Sequence, residues 1–220
     1  MSVRHRLAAL LFACAGLVTA SAGSAAAAAS SAASDVERYL AGLSSWSADF
    51  KQTIADSDGH VLRTAAGKFY LARPGKFRWD YTDPSEQLIL ADGKQIWFYD
   101  KDLAQANVRS VDGSLASTPA ALLSGTSSVG SEFDIKALPD KAGAGLRWYE
   151  LLPKRTDTDF KVVQIAFDKD GELAQMFLAD KLNQITQVAF THPVKNPALA
   201  PGLFSFTPPP GVDVIGRDGK

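Results

Sequence analysis

A chain of 220 residues, 46% hydrophobic and 21% charged, is long enough to bury one sizeable core and has the length of a single domain plus a leader. Its 23 basic and 24 acidic residues leave a formal charge of −1, which gives no electrostatic basis for binding nucleic acid or an anionic membrane surface. A single cysteine excludes an internal disulfide framework.

Arg4, His5 and Arg6 open the chain, Leu7 to Val18 is apolar or small, and Thr19 to Ala33 is an Ala/Ser/Gly stretch with cleavage options such as Ala25-Ala26-Ala27. This is the basic, apolar and cleavage-region order of a secretory signal peptide. The apolar run is shorter than the about 20 residues that span a bilayer. Residues 1–31 are therefore expected to be a leader and 32–220 a single domain, with a soluble product starting between Ala26 and Ser34. Cys14 would leave with the leader, which excludes thiol catalysis and cysteine metal sites. Leu11-Phe12-Ala13-Cys14 faintly resembles a lipobox, which would make Cys14 an acylated N-terminus. The short apolar run before it and the bulk of Phe12 favour the soluble product. Without Arg4 and Arg6 the product carries 21 basic and 24 acidic residues, about −3.

Ser34 or Asp35 is placed to cap a helix, with Glu37 completing a capping box, and Val36, Tyr39, Leu40 and Leu43 form its apolar stripe. After Ser44-Ser45 the period changes to two. Trp46, Ala48, Phe50, Gln52 and Ile54 predict a strand, Asp56 to Gly59 a turn, and His60 to Leu71 a second strand. Lys76 to Tyr81 alternates charged and aromatic residues without exception. Gln87–Ala91, Asp92-Gly93 and Lys94–Tyr99 read as a hairpin. A further strand starts near Val108. Thr118-Pro119-Ala120-Ala121-Leu122-Leu123 has the cap and early proline of a short helix, and 125–130 reads as a flexible loop. Strands resume at 133–138, 146–152, 160–167, 172–179 and 184–191, and the proline-rich tail from Pro193 to Pro210 cannot form a central strand. Two apolar helical segments in such a chain must bury their stripes on something. One curved antiparallel sheet with helices on its concave side satisfies both.

Chemistry-bearing constellations are scarce. His60 and His192 fall at expected strand ends with no metal-ligand spacing. Gly125 to Val129 lacks the second glycine of a nucleophile elbow, Asp168 to Glu172 lacks the spacing of a calcium loop, and no glycine-rich phosphate loop is present. The expectation is no catalytic residue, cofactor or metal. The feature that stands out is an aromatic load in the first half, with Trp46, Phe50, Phe69, Phe77, Trp79, Tyr81, Trp97, Phe98 and Tyr99 on strands. These rings fill a core or line a cavity, and composition alone does not separate the two.

Gly67-Lys68-Phe69-Tyr70-Leu71-Ala72-Arg73-Pro74-Gly75-Lys76-Phe77-Arg78-Trp79 resembles the G-x-(F/L)-x-(L/V)-x-R-P-x-x-F-x-W stretch of the LolA family of periplasmic lipoprotein carriers. Asp92 to Asp100 is similar to its D-G-K-x-(L/I)-W-x-Y block. Gln105-Ala106, Thr118-Pro119 with Leu122-Leu123, and an F-x-F-x-P-P-x-G-V ending at Phe204 to Val212 follow in family order. The resemblance implies a mainly β fold, an incomplete antiparallel half-barrel covered by a helical lid over an apolar cavity. It also implies a periplasmic chaperone that takes acylated lipoproteins from an inner-membrane ABC transporter and delivers them to an outer-membrane receptor, as a monomer. By position, Arg73 matches the arginine that holds the lid through backbone carbonyls, and Leu40 and Leu123 match lid positions near it. Phe77, Trp79, Phe69, Trp97 and Leu122 are the candidate cavity lining. Ala120-Ala121 departs from the bulkier residues usual in that lid helix. A lipid-anchored receptor with acylated Cys14, a periplasmic hydrolase and a sensor with a further signalling domain are the competing readings.

Overall fold

The computed structural model describes residues 22–111, 123–125, 128–140, 144–156 and 158–216, with side chains from residue 32 onward. Among the described residues Leu123 and Ser124 are helical, and two helices can be delimited, α1 (Ala22–Ala41) and α2 (Val129–Glu132), alongside twelve strands. In chain order these are β1 (Ser45–Ala55), β2 (Val61–Ala72), β3 (Lys76–Asp83), β4 (Gln87–Asp92), β5 (Gln95–Asp100), β6 (Gln105–Ser110), β7 (Phe133–Leu138), β8 (Arg147–Pro153), β9 (Phe160–Phe167), β10 (Leu173–Asp180), β11 (Ile185–Lys195) and β12 (Asp213–Ile215).

All twelve strands belong to one open sheet in the order β12-β6-β5-β4-β3-β2-β1-β11-β10-β9-β8-β7. Two hairpin meanders, β1–β6 and β7–β11, are joined where β1 pairs antiparallel with β11, from Trp46↔Lys195 to Ala55↔Ile185. β12 alone pairs parallel, on the β6 edge. A sheet of this width curls, because strand twist accumulates beyond about ten strands. On a flat sheet β2 and β8 would lie roughly 24 Å apart at about 4.8 Å per strand. Yet Asp35 of α1 meets Tyr149 of β8, and Leu40, roughly 7.5 Å further along the helix, meets Arg73 at the end of β2. The half-barrel expected from the sequence is thus present as a curved, unclosed sheet around α1.

The inner face and α1 share one core, which runs from Val36, Leu40 and Leu43 through Trp46, Phe50, Phe69, Phe77 and Trp79 to Leu151, Ile165 and Met176. The outer face of the first meander carries a second cluster: Leu88, Leu90, Trp97, Ala106 and Val108, covered by Phe206, Val212 and Val214 of the C-terminal segment. Arg78 helps to hold that segment, donating from Nη1 to Leu203 O at 3.1 Å. Gly67 marks an irregularity in the β2–β3 pairing, where a side chain would fall 1.8 Å from Asp80 O.

Three expectations are corrected. Ser34 does not start the helix: α1 runs back to Ala22 because the stretch before Ser34 is mostly alanine, the best helix former. The end of the expected loop 125–130 is helical: Val129–Glu132 form α2, held to α1 through Glu37, whose Oε1 accepts from Ser128 Oγ at 2.5 Å and Gly130 N at 3.1 Å. β11 passes through Pro193 to Lys195, and His192 takes a positive φ of 52° opposite the register shift in β1.

Candidate functional site

The turn from β2 to β3, Arg73-Pro74-Gly75, lies beneath the end of α1. Arg73 N donates to Ser44 O at 2.9 Å, which ties the turn to the chain just past the helix. The guanidinium then forks. Nη1 donates to Leu40 O in the last turn of α1, and Nη2 donates to Gly125 O at 2.8 Å. Gly75 N adds a bond to Ser124 O at 2.8 Å. Leu40 O also accepts from Leu43 N at 3.1 Å, and its remaining lone pair at the helix end suits an arginine with five N–H groups and no acceptor. Burial lowers the Arg73 pKa from its usual value, by desolvation.

Other contacts seat α1 on the sheet. Its stripe residues Val36, Tyr39, Leu40 and Leu43 are buried. The Tyr39 ring meets Phe167 at 4.7 Å, and the Lys195 ammonium lies 4.8 Å from its centroid. Tyr39 OH donates to Glu172 Oε2 at 3.4 Å and accepts from Leu173 N at 3.3 Å. Burial, and secondarily the negative charge of Glu172, raise its phenol pKa well above the usual value. Asn196 closes the junction between helix and sheet. Its Oδ1 accepts from Ser44 N, Ser44 Oγ and Ser45 N at 2.8, 3.0 and 3.2 Å, and its Nδ2 donates to Gly42 O at 3.0 Å.

Beneath α1 the inner face is aromatic. Trp79 lies 4.5 Å from Phe69 and 4.6 Å from Phe50, and Trp46 lies 5.0 Å from Phe190. Among the described residues, Ser124 is the one buried polar residue apart from tyrosines. Desolvation pushes the Tyr81 phenol up to about 12, with Arg63 acting weakly in the opposite sense. Such an interior suits hydrocarbon.

The structure brings Arg73 to Leu40 directly. Leu123 is buried in the same core, but the arginine bonds the carbonyl two residues later. Phe69, Phe77 and Trp79 face the interior. Trp97 does not: it lies in the outer cluster, 5.4 Å from Phe206. Ile96 to Tyr99 is apolar throughout, so alternation could not assign its face. Leu122, with Ala120-Ala121 and most of the expected helix, lies outside the described residues, as does Cys14. The acceptors Ser44, Ser124 and Gly125, and the anchor Asn196, were not anticipated, because main-chain carbonyls carry no residue signal. His60 is exposed beside Asp56, and Asp56, Asp58 and His60 hold their ligand atoms within 4.8 Å of one another. The Asp56 carboxylate there accepts the Asp58 and His60 backbone N–H groups at 2.9 Å, as in an ordinary turn.

Residues 41–207 match the family described as Outer membrane lipoprotein carrier protein LolA. An outer-membrane lipoprotein carrier protein of Nitrosomonas europaea is 45% identical over 171 residues, 78% of this chain and 82% of the relative. One from Cupriavidus taiwanensis is 39% identical over 216 residues, 97% of this chain and 99% of the relative. Among solved structures, an uncharacterized conserved protein from Thermus thermophilus shares the fold, with a TM-score of 0.56 at 12% identity, covering 85% of this chain and 99% of that one. From the matched span and these relatives, the chain belongs to the LolA family of outer-membrane lipoprotein carrier proteins.

Proposed function

We propose that this protein is a periplasmic chaperone that takes the acyl chains of lipoproteins into its aromatic interior and releases them to a receptor at the outer membrane, catalysing no reaction itself. The observation that carries this reading is the forked Arg73. It fastens two covering segments, the end of α1 and residues 124–125, over an interior free of charged side chains among the described residues. Burial of hydrocarbon contributes about 0.8 kcal/mol per CH₂, so a long acyl chain brings on the order of 10 kcal/mol. A carrier has to shield such a chain and still give it up, and a cover held by a few hydrogen bonds allows both.

In this reading the donor is an inner-membrane lipoprotein-releasing ABC transporter, the acceptor is a receptor on the outer membrane, and the carrier is a monomer. Residues 1–31 act as a leader that is removed. The test is a two-step assay: loading of a diacylated lipoprotein from detergent or membrane, then transfer to acceptor. Lipoproteins co-purifying with the processed protein support the reading, and failure to bind any acylated peptide overturns it. The second reading, an anchored receptor, rests on Cys14. A diacylglyceryl-modified Cys14 at the N-terminus, read by mass spectrometry, would establish it in place of the soluble carrier.

A further inference from the structure

Trp46 stands at the start of β1 on the inner face and is 1% exposed, yet its indole Nε1 has no hydrogen-bond partner among the described residues. A buried donor without an acceptor is costly and uncommon in folded proteins. Its ring neighbours are Phe69 at 5.7 Å and Phe190 at 5.0 Å, and Phe190 stands at 82° to it. They offer π-faces, which accept an N–H far more weakly than an oxygen does.

The place of this donor matters. Trp46 pairs with Leu71, two residues before Arg73, and Arg73 N bonds Ser44 O, two residues before Trp46. The indole therefore sits just inside the point where Arg73 fastens its two covering segments. From there the inner face of β1 continues through Ala48, Phe50, Gln52 and Ile54, a run of roughly 26 Å at about 3.3 Å per residue. An acyl chain laid along that run leaves at its head the group that joins it to the rest of the lipid. In an acylated lipoprotein that group is a carbonyl. The geometry points to Trp46 Nε1 as the donor that recognises the acyl carbonyl of the cargo. The interior then selects acyl esters or amides over hydrocarbon as such. Gln52 Oε1 is also buried without a partner among the described residues, but it is an acceptor and a carbonyl cannot satisfy it. This inference rests on the carrier reading and adds a specificity-determining residue to it.

The experiment compares two ligands on the purified protein: a diacylglyceryl-cysteine peptide with ester-linked chains, and the same peptide with ether-linked chains of equal length. The expected result is about 3- to 10-fold tighter binding of the ester, the range of one neutral hydrogen bond. Trp46→Phe, which keeps a ring but removes the N–H, should bind both ligands alike, near the ether value. Equal, measurable affinities in the unmodified protein overturn the inference and leave the carrier reading intact. An unchanged ester preference in Trp46→Phe also overturns it, because the ring would then act by packing alone. If neither ligand binds the unmodified protein, the carrier reading itself fails. Should Trp46→Phe not fold, the ester–ether comparison on the unmodified protein decides the matter alone.

Discussion

Arg73 bonds two carbonyls from separate segments with one side chain, and its planar fork is what makes this possible. Hydrogen bonds from a charged donor contribute about 1.5–3 kcal/mol each. If cargo entry breaks them and release restores them, they weaken loading and favour handover. Arg73→Leu should therefore load at least as well as the unmodified protein and transfer at least several-fold more slowly. Poor loading with normal transfer of whatever is held would contradict this account. Arg73 was legible because it stands in a recognisable motif. Its acceptors were not, since Leu40 O and Gly125 O are atoms that every residue possesses. Trp97 shows the same limit for a side chain: in Ile96-Trp97-Phe98-Tyr99 every position is apolar, so which ring faces inward depends on pairing alone.

Among the elements, those with strict alternation were read well. β3 buries Phe77, Trp79 and Tyr81 and turns Lys76, Arg78 and Asp80 away from the core, as its pattern requires, and β7 and β9 keep their expected limits. β6 begins earlier than expected, at Gln105, because its first residues lack a hydrophobic pattern. β12 was missed: three residues after a proline-rich stretch give no periodic signal, and their strand character comes from pairing with β6. The junction of α1, β1 and β11 likewise depends on a single distant residue. Asn196 bonds Gly42, Ser44 and Ser45 and sits at a φ of 55°, a region that asparagine tolerates better than alanine. Asn196→Ala should lower the unfolding free energy by about 2 kcal/mol, from lost bonds and backbone strain together, read by urea denaturation. A change below about 0.5 kcal/mol would mean that solvent replaces those bonds at no cost.

For the whole molecule, the aromatic interior links stability to alkaline pH. Tyr81 ionises near 10 in an unfolded chain and at about 12 in the folded one. The folded state thus holds its proton where the unfolded state has lost it. Stability from this group is complete below pH 10 and falls between about 10 and 12, by roughly 2–3 kcal/mol for a shift of this size. Tyr81→Phe should flatten the urea midpoint across that window, and an unchanged slope would place the titration elsewhere. That the sheet carries α1 on one face was legible, because the apolar stripe Val36, Tyr39, Leu40 and Leu43 needed a surface to cover it. The pairing of β1 with β11 was not, since partners so far apart in the chain leave no local pattern. That seam also bears on how the chain folds. Each meander is built from neighbouring hairpins and can form from local contacts, whereas the seam joins residues well over a hundred positions apart. By that argument it is expected to close last, after both halves exist. Substitutions along it, Asn196→Ala included, should speed unfolding more than they slow folding. In that order of events the carrier's assembly would be completed at the same strand that runs from the Arg73 turn into its interior.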